Sequence, residues 1–190
     1  MPNNPFDTIR QQETPDSSFR WYQNAIRKVG LSSLQPQKAL KSDIGELVTT
    51  MVTGNMYLFM YDPKMANTLP YYDTAPLILM FRKVPDGFFG LNLHYLPPMA
   101  RMRLLDRLLQ LSDDTSLTET TRLRLRWQLL DNTTRFPGVH ACVKHYLYNH
   151  VTSRIMKIYP KDWRKTIMLP IDRFEKQDRT DVFNDSRSKM

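Results

Sequence analysis

His140, Cys142, His145 and His150 stand within eleven residues of one another and include the only cysteine of the chain. Imidazole and thiolate are the usual ligands of zinc, and a thiolate beside an imidazole is the usual cysteine nucleophile. Neither chemistry is well served by this spacing. No C-x-x-C is present, and the intervals between the four residues are uneven. His145 follows Cys142 by three residues, which ordinary helical spacing explains without a reaction, and a nucleophile also needs a third group to orient its base. The reading that fits is a small buried Cys142 with histidines on surfaces or in polar packing.

Acidic residues raise a second possibility. Asp62, Asp73 and Asp86 fall in turns between extended segments, and a two-metal nuclease needs several carboxylates converging on one site. Each is also a common turn residue. Asp113 and Asp114 stand in a turn at a helix start, where the dipole favours anions. "GELVTTMVTGN" lacks the lysine of a phosphate-cradling loop, and G-x-G-x-x-G does not occur. The expectation is a protein with no catalytic residues, no metal, no cofactor and no small-molecule substrate.

The remaining chemistry is charge. The chain of 190 residues carries 27 Lys and Arg against 19 Asp and Glu, a net +8. Residues 1–99 hold 9 against 8, a net +1, and residues 100–190 hold 18 against 11, a net +7. That asymmetry points to an anionic partner, nucleic acid before an acidic protein. The candidate contacts are Arg101, Arg103 and Arg107, then Arg122, Arg124 and Arg126, then Arg154, Lys157, Lys161, Arg164 and Lys165, with Trp163 among the last set. Five phosphate contacts would give a log–log salt slope of about −4 to −5, independent of base sequence. The competing reading is that arginines line the solvated faces of amphipathic helices.

Elements must place these groups. Residues 1–16 read as a flexible arm, 17–176 as a single α+β domain, and 177–190 as a flexible tail. Phe19, Tyr22, Ile26 and Val29 mark an amphipathic helix ending at Gly30, and a short helix is expected near 36–42. Residues 54–96 are β-rich: "NMYLFMYD", "LPYYD", "APLILMFRK" and "GFFGLNLHYL" are extended, and "VPDG" closes a hairpin between the last two. A small SH3-like or curled antiparallel sheet follows. Tyr57, Tyr61, Tyr71 and Tyr72 suit core or interface packing better than a stacking surface for bases. Residues 98–166 read as helical, with proline opening the first helix, a capping box at Ser116 and Glu119 opening the second, and helix again over about 137–157. A helical turn then leads into an extended 167–169 that rejoins the sheet. No run reaches the ~18 apolar residues of a membrane span, no secretory signal is evident, and a lone cysteine suits a reducing compartment or a virion interior.

The strings "MYLFMYDPK", "LPYYD", "GLNLHYLPP", "CVKHYLYNHV" and "LPIDRF" resemble a family of T-even-type tailed bacteriophages and their marine relatives, the DNA end protectors or head-completion proteins. The likeness runs from about Phe19 to Phe174. It implies a virion protein, made in the host bacterial cytoplasm, that binds the termini of packaged duplex DNA, shields them from host exonuclease and assists head completion. It implies no cofactor and no turnover, and it supplies no residue-level site. The alternative is a structural component of neck, tail or baseplate acting through other phage virion proteins.

Overall fold

The computed structural model describes residues 20–21, 24–25, 35–113, 116–134 and 137–188. The arm expected over 1–16 and most of the helix expected up to Gly30 lie outside them. Residues 20–21 and 24–25 are helical, with Ala25 buried and Trp21 against the core. A one-turn helix α1, Pro36–Ala39, leads to the edge strand β1, Gly45–Val48.

The apolar centre forms β2 (Met56–Leu58), β3 (Tyr72–Asp73), β4 (Leu77–Val84) and β5 (Gly87–Asn92). Val84 pairs with Gly87, so Pro85 and Asp86 are the two central residues of the expected hairpin. Helices α2 (Pro98–Asp113) and α3 (Glu119–Thr134) follow, then a short α4 (Pro137–His140). The α3 start differs in detail from the expected box. Thr118 provides the cap, its Oγ1 accepting the Thr121 N–H at 3.2 Å, and Glu119 in the first turn pairs with Arg122.

Past α4 the helical expectation fails. Val143–Leu147 is strand β6 and Ile155–Ile158 is strand β7. Both join one antiparallel sheet of order β1-β7-β2-β4-β5-β6. A helical turn α5, Trp163–Thr166, is present as expected, but residues 167–169 do not enter the sheet. The extended piece is β8, Phe174–Glu175, and it pairs with β3 in a separate ribbon. The segment expected as a mobile tail is helix α6, Arg179–Ser188, with Val182 fully buried and the Tyr71 hydroxyl bonded to Asp185. Class and centre are therefore α+β around an antiparallel sheet, with two strands drawn from the half read as helical.

Alternation along the strands gives the sheet two buried faces. Met56, Leu58, Leu77, Leu79 and Leu91 meet Leu105 and Leu108 of α2, Leu130 of α3, Trp163 of α5 and Val182 of α6. Tyr57, Ile78, Met80, Phe88 and Tyr146 gather on the other face with Phe59 and Tyr61, and among the described residues no helical one joins them. Aromatic edges lock that second cluster: Phe59 and Tyr146 meet at 5.3 Å and 89°, Tyr61 and Tyr146 at 4.9 Å and 82°.

Segments far apart in sequence are tied at Asp73. Its carboxylate accepts the N–H of Ala75 (3.0 Å), the N–H of Arg173 (3.2 Å), Asn92 Nδ2 (3.1 Å) and His94 Nδ1 (2.7 Å). Asp73, Asn92 and His94 are all buried, so an acid read as a turn residue is the hub between β3, β5 and the approach to β8.

Gly87 is required by approach rather than by dihedral angle. A Cβ there would lie 2.0 Å from the Tyr146 carbonyl oxygen, which is ladder backbone between β5 and β6. Gly87→Ala is expected to cost about 1–3 kcal/mol, because β6 must move away from β5. Urea unfolding that matches wild type within error would contradict this.

Candidate nucleic-acid interface

The apolar stripe of α2 (Met102, Leu105, Leu108, Leu109) faces the sheet. Arg101 precedes that stripe by one residue and is drawn in with it, 5% exposed. Its guanidinium donates to the carbonyls of Leu96 (2.8 Å), His94 (2.9 Å) and Ile167 (3.2 Å). Burial lowers its pKa to about 10. Arg101 thus ties the β5–α2 connection to the segment after α5 and does not present its charge outward. Arg103 and Arg107 are exposed. Four residues apart, they stand on one side of α2, about 6 Å along its axis, close to two base-pair rises of duplex DNA.

The second and third sets divide in the same way. Arg126 is buried, with its guanidinium 5.3 Å from the Trp163 ring centroid. Lys165 is buried, 3.1 Å from the buried Asp162 carboxylate. Arg122, Lys157 and Arg164 are partly exposed and pair with Glu119 (3.2 Å), Glu46 (3.1 Å) and Asp106 (3.3 Å). Such exposed pairs are worth about 0–1 kcal/mol, so each arginine or lysine can trade its carboxylate for a phosphate. Arg124, Arg154 and Lys161 are exposed. Arg124 shares a surface depression with Thr53 and Trp127, while Arg154 and Lys161 flank β7 at opposite ends.

Eleven cations read from sequence therefore do not form one surface. Arg101, Arg126 and Lys165 are corrections: their charge is spent inside the fold. One group is brought together across elements. Asp106 lies between Arg103 and Arg107 in sequence and receives Arg164, and Lys161 is one turn before Arg164. Arg103 and Arg107 of α2 and Arg164 of α5 are thus carried on elements joined by that ion pair, while the Lys161 ammonium lies 5.5 Å from the Tyr159 ring centroid.

Residues 13–187 match the family described as the phage T4 terminal DNA protecting protein. The chain belongs to that family. Comparisons with curated proteins and with solved structures return no match. The family match takes in every strand and helix named above except the last residue of α6. It places the chain among phage proteins that protect DNA ends, and the resemblance seen in the short strings is to the same family.

The residues that first suggested reaction chemistry have other partners. Cys142 is fully buried, and burial pushes its thiol up to about 11. His145 stacks on Phe89 with centroids 4.6 Å apart and sits 3.4 Å from Asp86, and the His150 ring bonds the Asp62 carbonyl oxygen. Among the described residues no three His, Cys, Asp or Glu side chains are grouped to hold a metal, and no helix is long and apolar enough to cross a membrane.

A feature that charge counting passed over lies between the 61–73 segment and β6. There a pocket of about 310 Å³ is lined by Tyr61, Tyr71, Tyr72 and Tyr146, with Lys64 and Lys144 beside them. Both lysines are isolated in sequence. The usable signal was the tyrosine spacing, three of whose four members line this pocket while Tyr57 is core.

Proposed function

We propose that the protein binds the ends of packaged duplex DNA inside the virion and shields them from host exonuclease by occupation, without turnover. The observation that carries this reading is the family match over 13–187. Exposed Arg103, Arg107 and Lys161 and partly exposed Arg164 support it, because outward cations are what phosphates need. Exposed Leu47 on edge strand β1 and exposed Val52 near it support a second contact, with another virion protein, during head completion.

Filter retention of linear and closed-circular duplex between 50 and 200 mM salt tests the reading. Linear DNA is retained preferentially, with a log–log slope of about −3.6 for four phosphate contacts. Arg103→Glu/Arg107→Glu reduces the slope by about 2 and weakens retention about tenfold. Equal retention of circles and linear molecules would rule out end binding.

A further inference from the structure

Cations alone cannot tell an end from an interior, since phosphates run the whole length of the duplex. End recognition needs a feature that only a terminus can satisfy, and the pocket beside β6 has the chemistry for one. Its volume, about 310 Å³, is at the small end of ligand sites, which run about 300–1,000 Å³. Tyr61, Tyr71 and Tyr72 line it. Tyr71 is held in place by its bond to Asp185 and by the Tyr95 ring at 5.8 Å. Aromatic faces stack bases of any sequence.

The floor is made of the buried side chains of Asp73, Asn92, Tyr95 and Tyr146, and what it offers is donors. The four acceptor sites of the Asp73 carboxylate are taken by Ala75, Arg173, Asn92 and His94. The Asn92 side-chain oxygen accepts the His94 N–H. The Tyr146 hydroxyl accepts from Asn92 and the Tyr61 hydroxyl accepts from the Leu147 N–H, so each keeps its own proton to donate. At the rim Lys64 is exposed, and the Lys144 ammonium lies 4.2 Å from the Tyr95 centroid. Aromatic faces, hydroxyl donors and cations around an acid whose acceptor sites are already occupied complement a flat, acceptor-rich, anionic ligand.

We propose that this pocket receives the terminal nucleotide of a DNA strand, turned out of the duplex, with its base against the tyrosines and its phosphate at Lys64 and Lys144. The assignment rests on the DNA-end reading above. Extruding a base costs a few kcal/mol in unpairing and unstacking; a terminal base has one stacking neighbour and an interior base two, so the pocket favours ends. A nucleotide held there is also withheld from an exonuclease.

The test uses the full chain and blunt duplexes carrying 5-iododeoxyuridine at the 5′ end, the 3′ end or mid-strand. Irradiation and peptide mass spectrometry locate the crosslinks. A terminal probe is expected to attach to Tyr61, Tyr71 or Tyr72, and the mid-strand probe to none of them. Tyr72→Ala is expected to weaken linear-duplex binding about tenfold, while Tyr72→Phe, which keeps the ring, restores it. Terminal crosslinks only outside the pocket, with linear preference intact, overturn this proposal and leave the DNA-end reading standing. Loss of any linear preference overturns both. Crosslinking of these tyrosines by free 5-iododeoxyuridine monophosphate but not by duplex ends would make the pocket a free-nucleotide site and overturn strand-end capture.

Discussion

Asp73→Ala lowers the stability of the whole molecule by about 3–5 kcal/mol, the cost of removing one partner from a buried charged network. The substitution strands four donors at once: two backbone N–H groups, the Asn92 amide and the His94 ring. Ala75 and His94 are fully buried, so their donors have no water to replace the lost acceptor. For a chain of this length the melting temperature falls on the order of 10 °C. Asp73→Asn does not rescue it. Asp73 Oδ2 faces two donors, Asn92 Nδ2 and His94 Nδ1, and Oδ1 faces two backbone N–H groups, so an amide NH₂ in either place points donor at donor. Thermal denaturation followed by circular dichroism decides the matter. A melting temperature equal to wild type in Asp73→Ala would mean the hub contributes nothing, and the packing of β3 and β8 against β5 would need another cause.

That hub also shows what a single sequence conceals. The β2, β4 and β5 strands were legible because proline, aspartate and glycine bound them and apolar and aromatic residues fill them. The VPDG hairpin is local, and local rules place it. β6 and β7 were not legible as strands. "VKHYL" and "IMKI" are short, and what makes them strands is pairing with β5, β2 and β1, partners more than fifty residues away. Non-local pairing leaves no mark on a short segment. Helix α6 has the same origin. Its sequence is polar, and it is secured by buried Val182, by Asp185 on Tyr71, and by Arg179 on Asp172 at 2.6 Å. Burial would raise the Asp172 pKa, but His94, Arg179 and Arg101 outweigh it and hold it below the usual range. The stability from that pairing is present above the unfolded carboxylate value and disappears as pH falls through the lower folded one.

Charge shows the same limit from the other side. Counting located the surplus of cations past residue 100 but could not say which way they point. Arg101 adjoins the apolar stripe of α2 and Arg126 lies in the inner face of α3. Geometry converts both from candidate phosphate ligands into packing groups. The tyrosines went partly the other way: Tyr61, Tyr71 and Tyr72 satisfy a core pattern and still border a pocket.

Lys165→Met separates charge that holds the fold from charge that meets DNA. Lys165 and Asp162 are both buried, 3.1 Å apart, and the Lys165 ammonium also donates to the Lys161 carbonyl oxygen at 3.3 Å. Removing the lysine takes one buried cation away from the Asp162 carboxylate, and a loss of about 3–5 kcal/mol is expected in urea unfolding. Lys165→Met/Asp162→Leu restores much of that loss, because a buried pair replaced by apolar groups of similar volume is often close to neutral. A double variant no better than Lys165→Met would mean that the defect is one of shape, not of the lost charge pairing. At a temperature where Lys165→Met remains folded, its DNA retention keeps the wild-type salt slope, since that charge never reaches a phosphate. Arg103→Glu/Arg107→Glu behaves in the opposite sense, folding normally and losing slope. If instead the Lys165 variant flattened the salt dependence, the segment around α5 would have to open on DNA, and the division between inner and outer cations would fail.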